Sequence, residues 1–273
     1  MARVLAISSQ VVRGHVGNSA AAFALQRLGH DVWMLPTVIL SNHPGHAHVA
    51  GTRIAPEALG QMIKALAGNG WLGEIDAVLT GYLPTAEHVE FAVAAIAAVK
   101  AARRKALVVV DPVLGDDPGG LYVDEAAAIA VRARLLPLAD CLTPNRFELE
   151  WLSGMPVTGQ HSAQAAAAVL GPQQVLATSI PGAVAGKLLN VLWRANVSVT
   201  AEVAALKRVP HGTGDLLAAL YLAQVLHGQA PEAALRLAVD GVAAVIKASI
   251  SRDELNLTGT QDLWAHRRTG KAT

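Results

Sequence analysis

The chain is short of cysteine, aromatic residues, charge and long apolar runs, and each shortage removes a class of protein. Cys141 is the sole cysteine, which excludes an internal disulfide and a thiolate metal cluster; within Ala139-Asp140-Cys141-Leu142 it reads as a small core residue. Aromatics make up only 4% of a chain rich in alanine, which favours helices packed tightly on a sheet over a sandwich built on aromatic pairs. The formal net charge is +1. The basic clusters Arg103-Arg104-Lys105 and Arg267-Arg268 read as solvated helix ends or tail, so there is no electrostatic case for nucleic acid, and small molecules are the expected partners. No apolar stretch reaches the ~18 residues of a membrane span, and residues 1–7 are too short for a secretory apolar region. A reducing cytoplasm is the expected location. Three motifs are missing as well. Without Gly-x-x-x-x-Gly-Lys-Ser/Thr the chain is no P-loop enzyme, and without Gly-x-Gly-x-x-Gly after the first strand it is no dinucleotide-binding Rossmann domain. It also lacks the Gly-x-Ser-x-Gly elbow of a serine hydrolase, since Ser9 lies in Ser-Ser-Gln-Val.

What is present is 273 residues, 52% of them hydrophobic, enough for a large core and read as one domain over residues 1–273. Short β-branched runs alternate with alanine-rich stretches of helical character, the pattern of an α/β fold. Strands are expected at residues 4–8, 31–37, 77–80, 106–111, 140–143 and 174–178, with a hairpin of 188–194 and 197–203. Helices are expected at residues 18–28, 55–67, 87–102, 125–134, 146–152, 163–169, 215–226 and 231–249. Polar or glycine-bearing residues recur where strands end: Ser8-Ser9, Thr80-Gly81-Tyr82, Asp111-Pro112, Thr143-Pro144-Asn145 and Thr178-Ser179. In an open α/β sheet that edge binds ligands.

Chemistry concentrates in a few segments. In His211-Gly212-Thr213-Gly214-Asp215, two glycines and a hydroxyl meet the start of an apolar helix, where free backbone N–H groups can hold an anion. Asp215 would repel that anion unless it serves as a base for an attacking hydroxyl; the alternative is an Asp or Thr that merely caps a structural helix. Asp111 and Asp116, at and just after a strand end, suit Mg²⁺, which takes one or two carboxylates plus substrate phosphates; a strand cap and a turn Asp are the bland reading. Residues 117–122 form a glycine-bearing loop able to close over a nucleotide. Asn145 and Glu148 have the spacing of a capping pair, and also of a group that could hold a metal-bound water. His43, His46 and His48 fall within six residues but lack the further ligands of a zinc site, and a loop folding over a heterocyclic substrate is the expected role.

Together these pieces resemble the ribokinase-like superfamily, and within it the pyridoxal kinases. The broader likeness rests on residues 211–215 and on Asn145-x-x-Glu148. The narrower one rests on residues 7–21 (ISSQVVRGHVGNSAA), Ser41-Asn42-His43, Leu79-Thr80-Gly81-Tyr82, residues 111–116 (DPVLGD) and Thr143-Pro144-Asn145, in family order along the chain. The resemblance implies a three-layer α/β/α sandwich around a mostly parallel sheet, and ATP-dependent phosphorylation of the 5′-hydroxymethyl group of pyridoxal. It implies that Asp215 is the general base and that Gly212, Thr213 and Gly214 form the anion hole. Ser9, Val16, His43 and Tyr82, with Asp215, match positions around the pyridine ring. Asp111, Asp116, Thr143, Asn145, Glu148 and Thr178 match the nucleotide side, where Asp111, Asp116 and Glu148 would hold Mg²⁺, partly through water. A monovalent cation such as K⁺ and a homodimer are further implications. A kinase for another B6 vitamer or for hydroxymethylpyrimidine, or a catalytically weak binder of pyridoxal phosphate, are the alternatives. One departure stands out. Many family members read Ser-Asn-His-Thr-Gly-Tyr where this chain has Pro44 and His46, losing a hydroxyl and a phenol beside the substrate. The loop at residues 117–121 is also shorter than the flap of animal relatives.

Overall fold

A computed structural model describes residues 1–206 and 208–265; the Arg267-Arg268 cluster lies outside them. In chain order the elements are β1 (Arg3–Val11), α1 (Asn18–Arg27), β2 (Asp31–Leu40), β3 (Gly51–Arg53), α2 (Pro56–Gly68), β4 (Ala77–Thr80), α3 (Ala86–Ala102), β5 (Leu107–Val110), β6 (Gly115–Asp116) and β7 (Gly120–Leu121). They continue with α4 (Glu125–Ala130), β8 (Cys141–Leu142), α5 (Arg146–Ser153), α6 (Gln160–Val169), β9 (Gln174–Pro181), β10 (Lys187–Arg194), β11 (Val197–Ala204), α7 (Thr213–Leu226), α8 (Pro231–Lys247) and α9 (Gln261–Trp264).

Nine strands form one sheet in the order β11-β10-β9-β8-β5-β4-β1-β2-β3. The six from β9 to β2 run parallel, while β3, β10 and β11 add antiparallel edges. The side-chain period of two sends alternate residues of each strand to opposite faces. Leu5 and Ile7 of β1 therefore join one core with Val78, Val108 and Val110, against α2 to α6. Val4 and Ala6 join the other with Leu79 and Val109, against α1, α7 and α8. Each fully buried Leu or Ile stabilises the fold by roughly 1.5–3 kcal/mol relative to exposure. The alanines serve close approach: Ala20, Ala21, Ala24, Ala218, Ala219 and Ala223 are buried where α1 and α7 lie on the sheet and on each other.

The expected α/β/α layering holds; many elements extend by one to three residues beyond their sequence-based limits, while α1, β5, β8 and α8 end one or two residues short of them. Three differences have physical causes. The helix expected at 125–134 stops at Ala130 and passes into a π turn over Val131–Leu135 ahead of Pro137. The short pairs β3 and β6–β7 consist of polar or glycine-bearing residues without a hydrophobic period, and long-range pairing alone creates them. Finally, β1 runs to Val11 rather than Ser8, with a bulge: Ser8 pairs with Pro36 and Gln10 with Ile39, so Thr37 and Val38 of β2 both oppose Ser9. Such bulges re-aim side chains. Among the described residues no helix is long and apolar enough to cross a membrane.

Candidate active site

The parallel strands β1, β4, β5, β8 and β9 deliver their carboxyl ends to one edge of the sheet, and the N-terminus of α7 faces it. Gly212 is the N-cap of α7 in the left-handed region, φ 97°, and no side chain caps the helix. A Cβ at Gly212 would also collide with the carbonyl oxygen of His15, so the position demands glycine twice over. Thr213 and Gly214 are the first two helical residues and Asp215 the third. The bland capping role for Thr213 or Asp215 is not what the structure builds, and the amide end of the helix faces the cleft uncapped.

Asp215 instead accepts a hydrogen bond from the backbone N–H of Gly17. Gly17 has φ 53° and packs so closely on Ser9 that a Cβ would meet its Oγ. Burial pushes the Asp215 carboxyl up to about 6, against the pull of that hydrogen bond and of its own backbone N–H. A group in that range is ionised at neutral pH yet basic enough to take a proton. Beneath it lies a cavity of about 10 Å³ bordered by Ser8, Asn18, Thr80, Asp111 and Asp215, room for one water molecule. Asn18 Oδ1 and Thr80 Oγ1, both buried, have no hydrogen-bond partner among the described residues.

The wall formed by β5, β8 and α5 is closely hydrogen-bonded, with Asp111, Thr143 and Glu148 buried and Asn145, Asp116 and Thr178 half-buried. Thr143 Oγ1 donates to Asp111 Oδ1 at 2.9 Å. Asn145 caps α5 by accepting from Glu148 N at 2.9 Å, and Glu148 Oε2 accepts from Asn145 N at 2.8 Å, a complete capping box. The capping reading of this pair is thus realised, but the pair does more. Glu148 Oε1 accepts from Leu114 N at 2.8 Å, and Asn145 Nδ2 donates to the Gly115 carbonyl at 2.7 Å. These bonds clamp the segment after Asp111, where Val113 sits at φ 45°, a strained conformation for a β-branched residue. Burial raises Glu148 to about 7 despite its three backbone donors. Burial, then Glu148 and Asp215, raise Asp111. Asp116, on β6, is half-buried and adds to the negative field on Glu148. Thr178 joins this wall through its N–H to the Pro144 carbonyl at 2.8 Å. Among the described residues no three His, Cys, Asp or Glu side chains converge as a metal cage.

The opposite wall is looser. Ser9 is half-buried at the bulge, Val16 is buried and Tyr82 half-buried. His43 stacks on His211, ring centroids 3.8 Å apart and planes 16° from parallel. Burial, with His211 and His46 nearby, lowers His43 to about 4 and keeps it neutral. Burial raises the Tyr82 phenol. Ser9 Oγ lies beside Gly17, while the neighbouring Ser8 accepts the Tyr82 N–H at its Oγ, at 3.0 Å, and borders the cavity. Thr37 Oγ1 fixes the same turn by donating to the Tyr82 carbonyl at 2.7 Å. Ser8, Gly17, Asn18, Thr37 and His211 were not foreseen as site residues. Ser8, Gly17, Asn18 and His211 lie in stretches that already stand out in the sequence; Thr37 carries no local signal.

The sequence profile described as phosphomethylpyrimidine kinase matches residues 27–258. The chain is 38% identical over 267 residues to a pyridoxal kinase of Rubrobacter xylanophilus, spanning 95% of this chain and 92% of that one. It is 34% identical over 278 residues to a pyridoxal kinase of Corynebacterium diphtheriae, spanning 97% and 96%. Among solved structures, the pyridoxal kinase of Leishmania donovani in complex with ADP and pyridoxine superposes with a TM-score of 0.91 at 34% identity, covering 97% of this chain and 95% of that one. The same enzyme with ADP and pyridoxamine gives 0.90, covering 97% and 96%.

Proposed function

Because the chain belongs to the pyridoxal kinases, we propose that it transfers the γ-phosphoryl group of ATP to the 5′-hydroxymethyl group of pyridoxal, giving pyridoxal 5′-phosphate and ADP, with residues 1–273 acting as one kinase domain. The observation that carries the proposal is the junction at α7, where an uncapped helix N-terminus and a desolvated carboxylate face the same cleft. Asp215 takes the proton of the substrate hydroxyl as its oxygen bonds to the γ-phosphorus, and the bond from that phosphorus to the bridging oxygen of ADP breaks. Backbone N–H groups of residues 212–214 hold the charge that spreads over the phosphoryl oxygens. Ser9, Val16, His43 and Tyr82 line the vitamer end, and Asp111, Asp116, Thr143, Asn145, Glu148 and Thr178 the nucleotide end.

The acidic oxygens there fit Mg²⁺. Burial, with the Glu148 and Asp215 carboxylates nearby, raises the Asp111 carboxyl, and a hard divalent cation offsets that repulsion. Asp111 and Asp116 would hold the ion directly and Glu148 through water, since both Glu148 oxygens already accept backbone N–H groups. When bound, Mg²⁺ supplies charge neutralisation to the ATP phosphates. The family resemblance supports a monovalent cation such as K⁺ as an activator, a homodimer as the assembled form and the cytoplasm as the location.

The profile match favours one second reading, a kinase for hydroxymethylpyrimidine, and the full-length likeness to pyridoxal kinases weighs against it. The test is to offer purified protein with Mg-ATP each B6 vitamer and hydroxymethylpyrimidine while ADP and phosphorylated product are followed. Pyridoxal phosphorylation is expected. Turnover of hydroxymethylpyrimidine alone establishes the second reading, and turnover of nothing leaves a binding protein.

A further inference from the structure

The substrate loop, residues 41–48, carries Pro44 and His46 in place of the usual hydroxyl and phenol, and residues 44, 45, 47 and 48 are exposed. A loop with so few buried contacts of its own opens readily unless something ties it down. Three contacts do. The His43 ring lies face to face on His211, the residue just before the anion-hole glycine. His43 Nδ1 accepts the Gly45 N–H at 3.0 Å, which fixes the orientation of the ring in the stack. His46 Nε2 lies 3.1 Å from Glu254 Oε1, the same oxygen that accepts from Arg13 Nη1 at 3.0 Å.

Residues 253–255 are the hub of this arrangement. Arg13 Nη2 also donates to Asp253 at 2.8 Å, and the Glu254 carboxylate lies against the backbone of Gly14. The next residue, Leu255, packs against Gly212. One short segment therefore touches the end of β1, the substrate loop and the phosphate loop. We propose that His211 and Glu254 are positioning residues that hold the substrate loop closed over the vitamer, His211 by stacking on His43 and Glu254 by pairing with His46, in place of the contacts of the family's usual hydroxyl at 44 and phenol at 46. The inference rests on the pyridoxal reading of the same site. It makes vitamer affinity depend on residues that touch neither the vitamer nor the transferred phosphoryl group.

Steady-state kinetics on the full chain with Mg-ATP and pyridoxal test it. His211→Val is expected to raise KM for pyridoxal about three- to tenfold, the scale of a lost aromatic pair, with kcat and KM for ATP within about twofold of wild type. His211→Phe, which can still stack, is expected to stay near wild type. Glu254→Gln keeps the shape but loses the charge, and is expected to raise KM for pyridoxal about two- to fivefold. A His211→Val protein with an unchanged KM for pyridoxal overturns the proposal, and a lowered kcat or raised KM for ATP then assigns His211 to the phosphate loop. A Phe variant as impaired as the Val variant overturns the stacking role. Failure of the wild-type chain to phosphorylate any B6 vitamer appears before any variant is made, and overturns the functional reading and the latch with it.

Discussion

On the wall proposed for the nucleotide, Asp111, Thr143 and Glu148 expose 7%, 5% and 3% of their surface and are fixed by one another and by backbone amides. On the wall proposed for the vitamer, His43 and His46 are half-buried and held through side chains from distant parts of the chain. The first arrangement is costly to disturb, because removing one partner strands a buried polar group at about 1–3 kcal/mol. The second can exchange side chains cheaply. The contrast separates two demands: phosphoryl transfer needs charge held rigidly where it develops, whereas the choice of vitamer needs a surface that can be retuned, and Pro44 and His46 fall on that surface.

Four substitutions break or sharpen this contrast, with progressively smaller effects. Asp215→Asn is expected to cut turnover at least about 10²-fold while pyridoxal binding, read by calorimetry, persists. Its stability carries a sign as well. A folded value of about 6 against an ordinary 3.8 means that the folded state binds the proton more tightly, so Asp215 lowers stability as pH rises through about 4 to 6 and its full cost is present at pH 8. Thermal unfolding at pH 8 should therefore show Asp215→Asn at least as stable as wild type. Gly212→Ala, which forces a Cβ into the His15 carbonyl, is expected to cost about 10-fold to 10²-fold in kcat by displacing the anion-hole amides, with a lowered melting temperature.

Glu148→Gln replaces an acceptor oxygen by an amide N–H₂ facing a backbone N–H, and is expected to destabilise the fold by about 1–3 kcal/mol, a fall in Tm of roughly 2–10 °C. A change confined to activity would separate Glu148 from the capping box. Pro44→Thr is the mild case. Restoring a hydroxyl beside the vitamer is expected to lower KM for pyridoxal by about two- to tenfold and to leave KM for ATP unchanged, and an effect on ATP would merge the two walls.

Much of this was legible in the sequence because it is local. The alternation of strands and helices, the glycine before α7 and the Asn145–Glu148 spacing each depend on residues a turn or two apart. The order of strands in the sheet and the short pair β6–β7 depend on long-range closure, and no periodicity announces them. The different surroundings of Ser8 and Ser9 show the limit sharply. Adjacent residues of a strand face opposite ways, and the bulge opposite Thr37 and Val38 re-aims them in a manner no spacing reveals. In the sequence His211 belongs to a phosphate motif, and its stack on His43 joins residues 168 positions apart.

The burial of Asp215 at the meeting point of the two walls is tested most directly by the pH dependence of kcat/KM for pyridoxal. An acid limb with a midpoint near pH 6, absent from the residual activity of Asp215→Asn, is expected for a base desolvated at the foot of α7. A profile flat down to pH 4, or an acid limb that survives in Asp215→Asn, would contradict it.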